Sequence, residues 1–155
     1  MSIIKNYEPY EPNAQGLTES LLDFKSTFSG TPVPKVTGYQ ATTFENVTEG
    51  DALYMRRSDG QVGKATASDG TSEAATVVGF ANATAAANTT VKVIVVGLKT
   101  MSGLDAGDLY FLSPSTAGSI TLTPPSSAGQ AVVRLGEAAT TTSLAIQIEP
   151  PIKLS

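Results

Sequence analysis

The chain reads as an all-β protein: a small barrel or sandwich of about eight short strands, preceded by an extended N-terminal arm with one short helix. Three observations predict this. From residue 43 onward, short apolar runs are separated by turn signals built from Gly, Asp, Ser and Pro. Several of those runs alternate with period two, as a half-buried strand must. Residues 1 to about 42 have a different texture, with closely spaced prolines and a single stretch of helical spacing.

The arm comes first. Tyr7-Glu8-Pro9-Tyr10-Glu11-Pro12 repeats a Tyr-Glu-Pro unit. Proline and its restricted predecessor favour an extended path there. Leu17, Leu21, Phe24 and Phe28 then fall at i, i+4, i+7 and i+11, one face of a helix near 17–28 that Thr18 can cap. Gly30-Thr31-Pro32-Val33-Pro34 stops it. A helix this short is not stable alone, so its apolar stripe needs a surface, on its own β-domain or on a neighbouring subunit. Tyr7, Tyr10, Leu17, Leu21, Phe24 and Phe28 are therefore the candidate contact residues of the arm. Tyrosine gives large contact area at little entropic cost.

The β-domain, 43–155, follows. Residues 52–56 and 61–66 read as a hairpin about the Ser58-Asp59-Gly60 turn, and a second Ser-Asp-Gly at 68–70 marks another turn. Strands are expected at 75–80 and at 91–96, where Val91-Lys92-Val93-Ile94-Val95-Val96 is interrupted only by lysine. Both faces of its second half are expected to be buried. Leu109 to Leu112 is the next strand, then a turn from Pro114 to Gly118. Ser119 to Thr123 follows as a strand with Ile120 and Leu122 pointing inward, ended by Pro124-Pro125. The last two are 131–135 and 144–148, the latter placing Leu144, Ile146 and Ile148 on one face.

An internal repeat runs through this pattern. Gly50-Asp51-Ala52-Leu53-Tyr54-Met55 aligns with Gly107-Asp108-Leu109-Tyr110-Phe111-Leu112, Gly60 with Gly118, and Val78-Gly79-Phe80 with Leu135-Gly136-Glu137. Units at 50–97 and 107–149 would close one barrel-like domain by pairing their edges. A shared Gly-Asp turn before an aromatic strand explains the same likeness without a duplication.

Composition limits the chemistry. The 155 residues include no Cys, His or Trp. Thiol nucleophiles, disulfides, Cys/His zinc sites and histidine bases are thereby excluded. Asp51, Asp59, Asp69, Asp105 and Asp108 sit beside glycine or in turns, where Asp accepts backbone hydrogen bonds. Asp105 and Asp108 come nearest to a calcium loop, yet no Asp-x-Asp-x-Asp-Gly occurs, so no metal or other cofactor is expected. Neither a Walker sequence nor G-x-G-x-x-G is present. No enzymatic activity is expected. The net charge of −4 argues against nucleic acid as a partner, and no apolar run approaches the roughly 18–20 residues that cross a bilayer. The N-terminus lacks the apolar core of a secretory signal, which predicts assembly in a cytoplasm. Only 15% of residues are charged, against roughly 25% in a typical soluble domain. Such a surface suits packing against other chains, and it also suits a β-domain whose exposed faces carry Thr.

Gly107-Asp108-Leu109-Tyr110-Phe111-Leu112-Ser113, Gly118-Ser119-Ile120-Thr121-Leu122-Thr123-Pro124-Pro125 and Gly129-Gln130-Ala131-Val132-Val133-Arg134-Leu135-Gly136-Glu137-Ala138 together resemble a module of tailed-bacteriophage structural proteins. The pattern is similar to that of capsid decoration (cement) and head-fibre proteins, and of some tail-fibre proteins. It covers the C-terminal third well and the half beginning at Gly50 more loosely. The resemblance implies a small β-rich protein, usually a homotrimer, on the exterior of a virion capsid, with the major capsid protein as its partner. The function expected from it is to bridge major-capsid subunits. The alternative is a head- or tail-fibre module that recognises host surface glycans, which would require an exposed aromatic cleft.

Overall fold

The computed structural model describes residues 37–155, and the β-domain lies in the unit Lys35–Ser155. It is all-β, a curled antiparallel sheet with a small second sheet beside it. The strands are β1 (Thr37–Thr42), β2 (Ala52–Met55), β3 (Val62–Lys64), β4 (Val77–Ala81), β5 (Thr90–Thr100), β6 (Leu109–Leu112), β7 (Ile120–Thr121), β8 (Ala131–Val132), β9 (Arg134–Thr140), β10 (Ser143–Ile146) and β11 (Ile152–Lys153). The main path runs β3-β2-β4-β5-β10-β9-β6-β7, with β1 added on β5, while β8 and β11 form the second sheet.

Two ladders of the sheet are built alike. β2 meets β4 through Ala52 with Phe80, Leu53 with Gly79 and Tyr54 with Val77. β6 meets β9 through Leu109 with Glu137, Tyr110 with Gly136 and Phe111 with Arg134. Both ladders carry a bulge at the same step, after Leu53 and after Tyr110. The turns match as well. Gly50 N–H donates to Ala81 O and Ala81 N–H to Asp51 O, and Gly107 N–H donates to Ala138 O and Ala138 N–H to Asp108 O. Gly79 and Gly136 have one steric cause: a Cβ on either would run into a backbone carbonyl, that of Ile94 or of Ala145.

The units begin earlier than 50 and 107. β1 pairs with the first half of β5, Tyr39 opposite Val93, as the second half of β5 pairs with β10, Lys99 opposite Leu144. One long strand therefore ends the first repeat and starts the second, changing direction at Gly97, where φ is +109°. Thr37–Thr42, expected as the end of the arm, is thus the first strand of the β-domain.

The two repeats bury different faces. Leu53, Val62, Ala81 and Val93 of the first repeat, with Val47 and Val91, form a small core of their own. Their counterparts by register in the second repeat, Tyr110, Ala138 and Leu144, belong to the larger core instead. There they meet Ala52, Phe80 and Ile94, which come from the opposite face of the first repeat. The second repeat lays its inner face over the back of the first, in the manner of stacked repeats. Its own back, Leu109 and Glu137, stays exposed. Backbone bonds sew the stack along one side: Gly118 N–H to Ala65 O (2.7 Å), Ala67 N–H to Ser113 O (3.0 Å) and Ala131 N–H to Ala67 O (2.9 Å).

Three expectations are corrected. Val95 and Val96 are exposed, 38% and 50%: they lie between Ile94, which enters a core, and the turn of β5 at Gly97, and belong to neither core. Leu122 is 43% exposed: β7 ends at Thr121, and the Thr123 N–H turns back onto the Thr121 hydroxyl (3.2 Å) before the prolines. The strand expected at 131–135 divides at Val133, whose carbonyl accepts from Leu112 N–H (2.9 Å) as the chain crosses between sheets.

Candidate docking surface

The arm residues singled out in the sequence, Tyr7, Tyr10, Leu17, Leu21, Phe24 and Phe28, lie outside the described residues. Within 37–155 the exposed large apolar side chains are Tyr39, Met55, Val95, Val96, Leu109, Leu122 and Ile152. Tyr39, Val95 and Val96 belong to one place, the β1–β5 ladder, where Tyr39 opposes Val93 and Thr37 opposes Val96. Partial desolvation raises the Tyr39 hydroxyl above its ordinary pKa.

β1 is an edge. Thr43 turns both backbone groups toward β5, its N–H donating to Thr89 O (2.9 Å) and its carbonyl accepting from Asn88 N–H (2.7 Å). On the far side of β5, Asn82 N–H donates to Lys92 O (2.9 Å), so Lys92 faces β4. The alternation of an antiparallel ladder then points Tyr39 and Ala41 at β5. Gly38, Gln40 and Thr42 point their N–H and C=O groups outward, and among the described residues no strand receives them.

The other polar features are engaged internally. A cavity of about 590 Å³ lies among Glu49, Asp51, Thr100, Met101 and Ile120. Its two carboxylates are occupied, Glu49 by the Lys99 ammonium (2.9 Å) and Asp51 by Thr48 N–H (2.8 Å). Asp59 takes the Arg56 guanidinium and Gln61 N–H (3.1 Å), and both hold its carboxyl below its ordinary pKa, the guanidinium more. Asp69 is lowered by the Thr71 hydroxyl (2.7 Å) and then by Thr71 N–H (2.8 Å). These are the turn roles expected of them. Asp105 and Asp108 share a turn, Asp108 N–H donating to Asp105 O (3.1 Å). Among the described residues no three His, Cys, Asp or Glu side chains converge as metal ligands.

The aromatic group on the first repeat is filled rather than open. Arg56 lies 4.2 Å above the centre of the Phe44 ring, Tyr54 meets that ring edge-on at 5.8 Å, and the ring fills the space a side chain at Gly63 would need. Sequence reasoning missed both this group and the β1 edge. The signal for the edge was present in Thr37-Gly38-Tyr39-Gln40-Ala41-Thr42, which alternates in strand fashion without charge or proline. No protein-family model and no curated protein sequence matches the chain.

Proposed function

We propose that this protein is a virion structural protein that binds the outer surface of a phage capsid and stabilises it by bridging major-capsid subunits. The observation that carries the reading is the phage-like module of Gly107–Ala138. In the fold it spans β6, β7, β8 and the greater part of β9, with the turns between them. A repeat of the same register lies beneath it. The low charge and the β1–β5 ladder, whose outer edge no strand among the described residues receives, support a chain that works by contact. Its task is mechanical: each copy across a seam adds contacts that must break before the shell can expand. A homotrimer would turn three modest footholds into one attachment, with a gain in avidity of about 10² to 10⁴. The arm, with Tyr7, Tyr10, Leu17, Leu21, Phe24 and Phe28, would supply the foothold on the capsid or on a neighbouring copy.

The strand at Thr37–Thr42 sets the truncation that tests this. A chain lacking residues 1–36 keeps β1 and is expected to stay folded, yet to lose capsid binding in co-sedimentation with purified shells. Undiminished binding would overturn the arm mechanism. Counting copies in the virion by mass spectrometry separates the two placements: hundreds fit a decoration protein, and a few trimers fit a fibre. The glycan-binding alternative draws less support, because Arg56 already lies over the Phe44 ring, Tyr54 meets it edge-on, and the end of the ring is packed against Gly63.

A further inference from the structure

From the outer edge of β1, which no strand among the described residues receives, we infer that this protein pairs with a second copy of itself, β1 against β1 in antiparallel register about a two-fold axis, centred on Gln40. The contact is separate from capsid binding and doubles whatever assembly the rest of the surface makes.

Edge strands are hazards that folded proteins guard with charge, proline, bulges or cover. The other edges of the described residues are guarded. β3 is bridged by Thr43, with Phe44 N–H donating to Val62 O (3.1 Å). β7 runs into Pro124-Pro125, and β11 carries Lys153 behind Pro150-Pro151. β1 carries neither charge nor proline, its side chains being those of Thr, Tyr, Gln and Ala, no strand among the described residues covers it, and the one bulge of its ladder lies at its start, between Thr37 and Gly38.

Self-pairing follows from which groups point outward. Gly38, Gln40 and Thr42 are spaced evenly about Gln40, so a two-fold axis there sets Gln40 opposite Gln40 of the second copy and Gly38 opposite Thr42. Every outward N–H and C=O of the three then has a partner. Pairing two copies of one segment would set like charges face to face if it held any, and it holds none. The flanking Tyr39, Val95 and Val96 are the apolar surface that the same contact brings beside a second sheet. A strand from another protein could use the edge, but nothing about it calls for a different sequence.

The absence of cysteine makes the test direct. Directly opposed residues of a hydrogen-bonded antiparallel pair have Cα atoms about 5.5 Å apart, inside the roughly 4.4–6.8 Å span of a disulfide. Full-length Gln40→Cys is expected to form a covalent dimer on mild oxidation, while Thr116→Cys, on an exposed turn, stays monomeric on a denaturing gel. Gln40→Pro removes only an outward N–H, so circular dichroism should be unchanged while the mass by light scattering falls to half that of the wild type. The proposal fails if Gln40→Cys cross-links no faster than Thr116→Cys, or if Gln40→Pro leaves the mass unchanged. It fails too if the Gly38, Gln40 and Thr42 amides resist hydrogen exchange equally at all protein concentrations, which would assign the edge to residues 1–36. Gln40→Pro particles that still bind capsids would leave the capsid reading standing, so the two fail separately.

Discussion

Lys99 and Glu49 make an unequal pair. The lysine side chain is 5% exposed and the glutamate 58%, with 2.9 Å between Nζ and Oε1. Removing the glutamate strands a buried ammonium without its carboxylate, whereas replacing the lysine with an apolar chain of similar length removes the problem with the charge. Glu49→Ala is expected to cost about 1–3 kcal/mol in urea unfolding, and Lys99→Met to stay within about 1 kcal/mol of wild type. Equal losses in both would refute the asymmetry. Asp59 and Asp69 give a pH prediction. Their carboxyls are held below the ordinary 3.8 in the fold, so the stability they contribute is present above that value and lost as pH falls through the lower folded values. The double change Asp59→Asn and Asp69→Asn should weaken the fold at pH 7 and flatten its acid limb, read from melting temperature against pH. The turn role of these aspartates was legible from their glycine neighbours. The ion pair was not, because Lys99 sits in an ordinary strand and Glu49 lies far from it in sequence.

At the scale of elements, what the sequence revealed depended on how local the cause was. The hairpin at Ser58-Asp59-Gly60 and the strand at Leu109–Leu112 are set by nearby residues, and both stand where expected. Val95, Val96 and Leu122 looked buried because apolar runs usually are. Their exposure is decided by which core reaches them in the fold, and neither does, which local pattern does not encode. The repeat was legible because the glycines at 79 and 136 mark the same constraint. That constraint is testable in both places at once. Gly79→Ala and Gly136→Ala each drive a methyl group into a strand carbonyl, Ile94 or Ala145, and each is expected to destabilise by about 1–3 kcal/mol or more. Gly60→Ala meets no neighbouring atom and carries only its turn strain, φ +72°. A Gly136→Ala protein as stable as Gly60→Ala would show that the bulge relaxes freely.

At the scale of the β-domain, the repeats join in one curled sheet where β10 pairs with β5, and their cores set an order between them: the first has a core of its own, and the second has none without the first. Tyr110, Leu112, Leu135, Leu144 and Ile146 complete their core only with Ala52, Val77, Phe80 and Ile94. Truncating Phe80, the largest of these from the first repeat, should therefore cost about 3–5 kcal/mol and loosen the second repeat, even though the residue lies in β4. Leu53→Ala, in the small core, should cost about 2–5 kcal/mol and act first on the first repeat. Hydrogen exchange tells the two apart. Phe80→Ala is expected to raise exchange across β6, β9 and β10, and Leu53→Ala across β2, β3 and the first half of β5, before global unfolding. If either variant raised exchange evenly over both repeats, the two cores would be one cooperative unit and the ordering without consequence. If the ordering holds, a fragment beginning at Gly97 should not fold alone, since its inner face has nothing to close on. The capsid-binding reading inherits this dependence, because the phage-like module is the second repeat, and its surface exists only when the first repeat is in place beneath it.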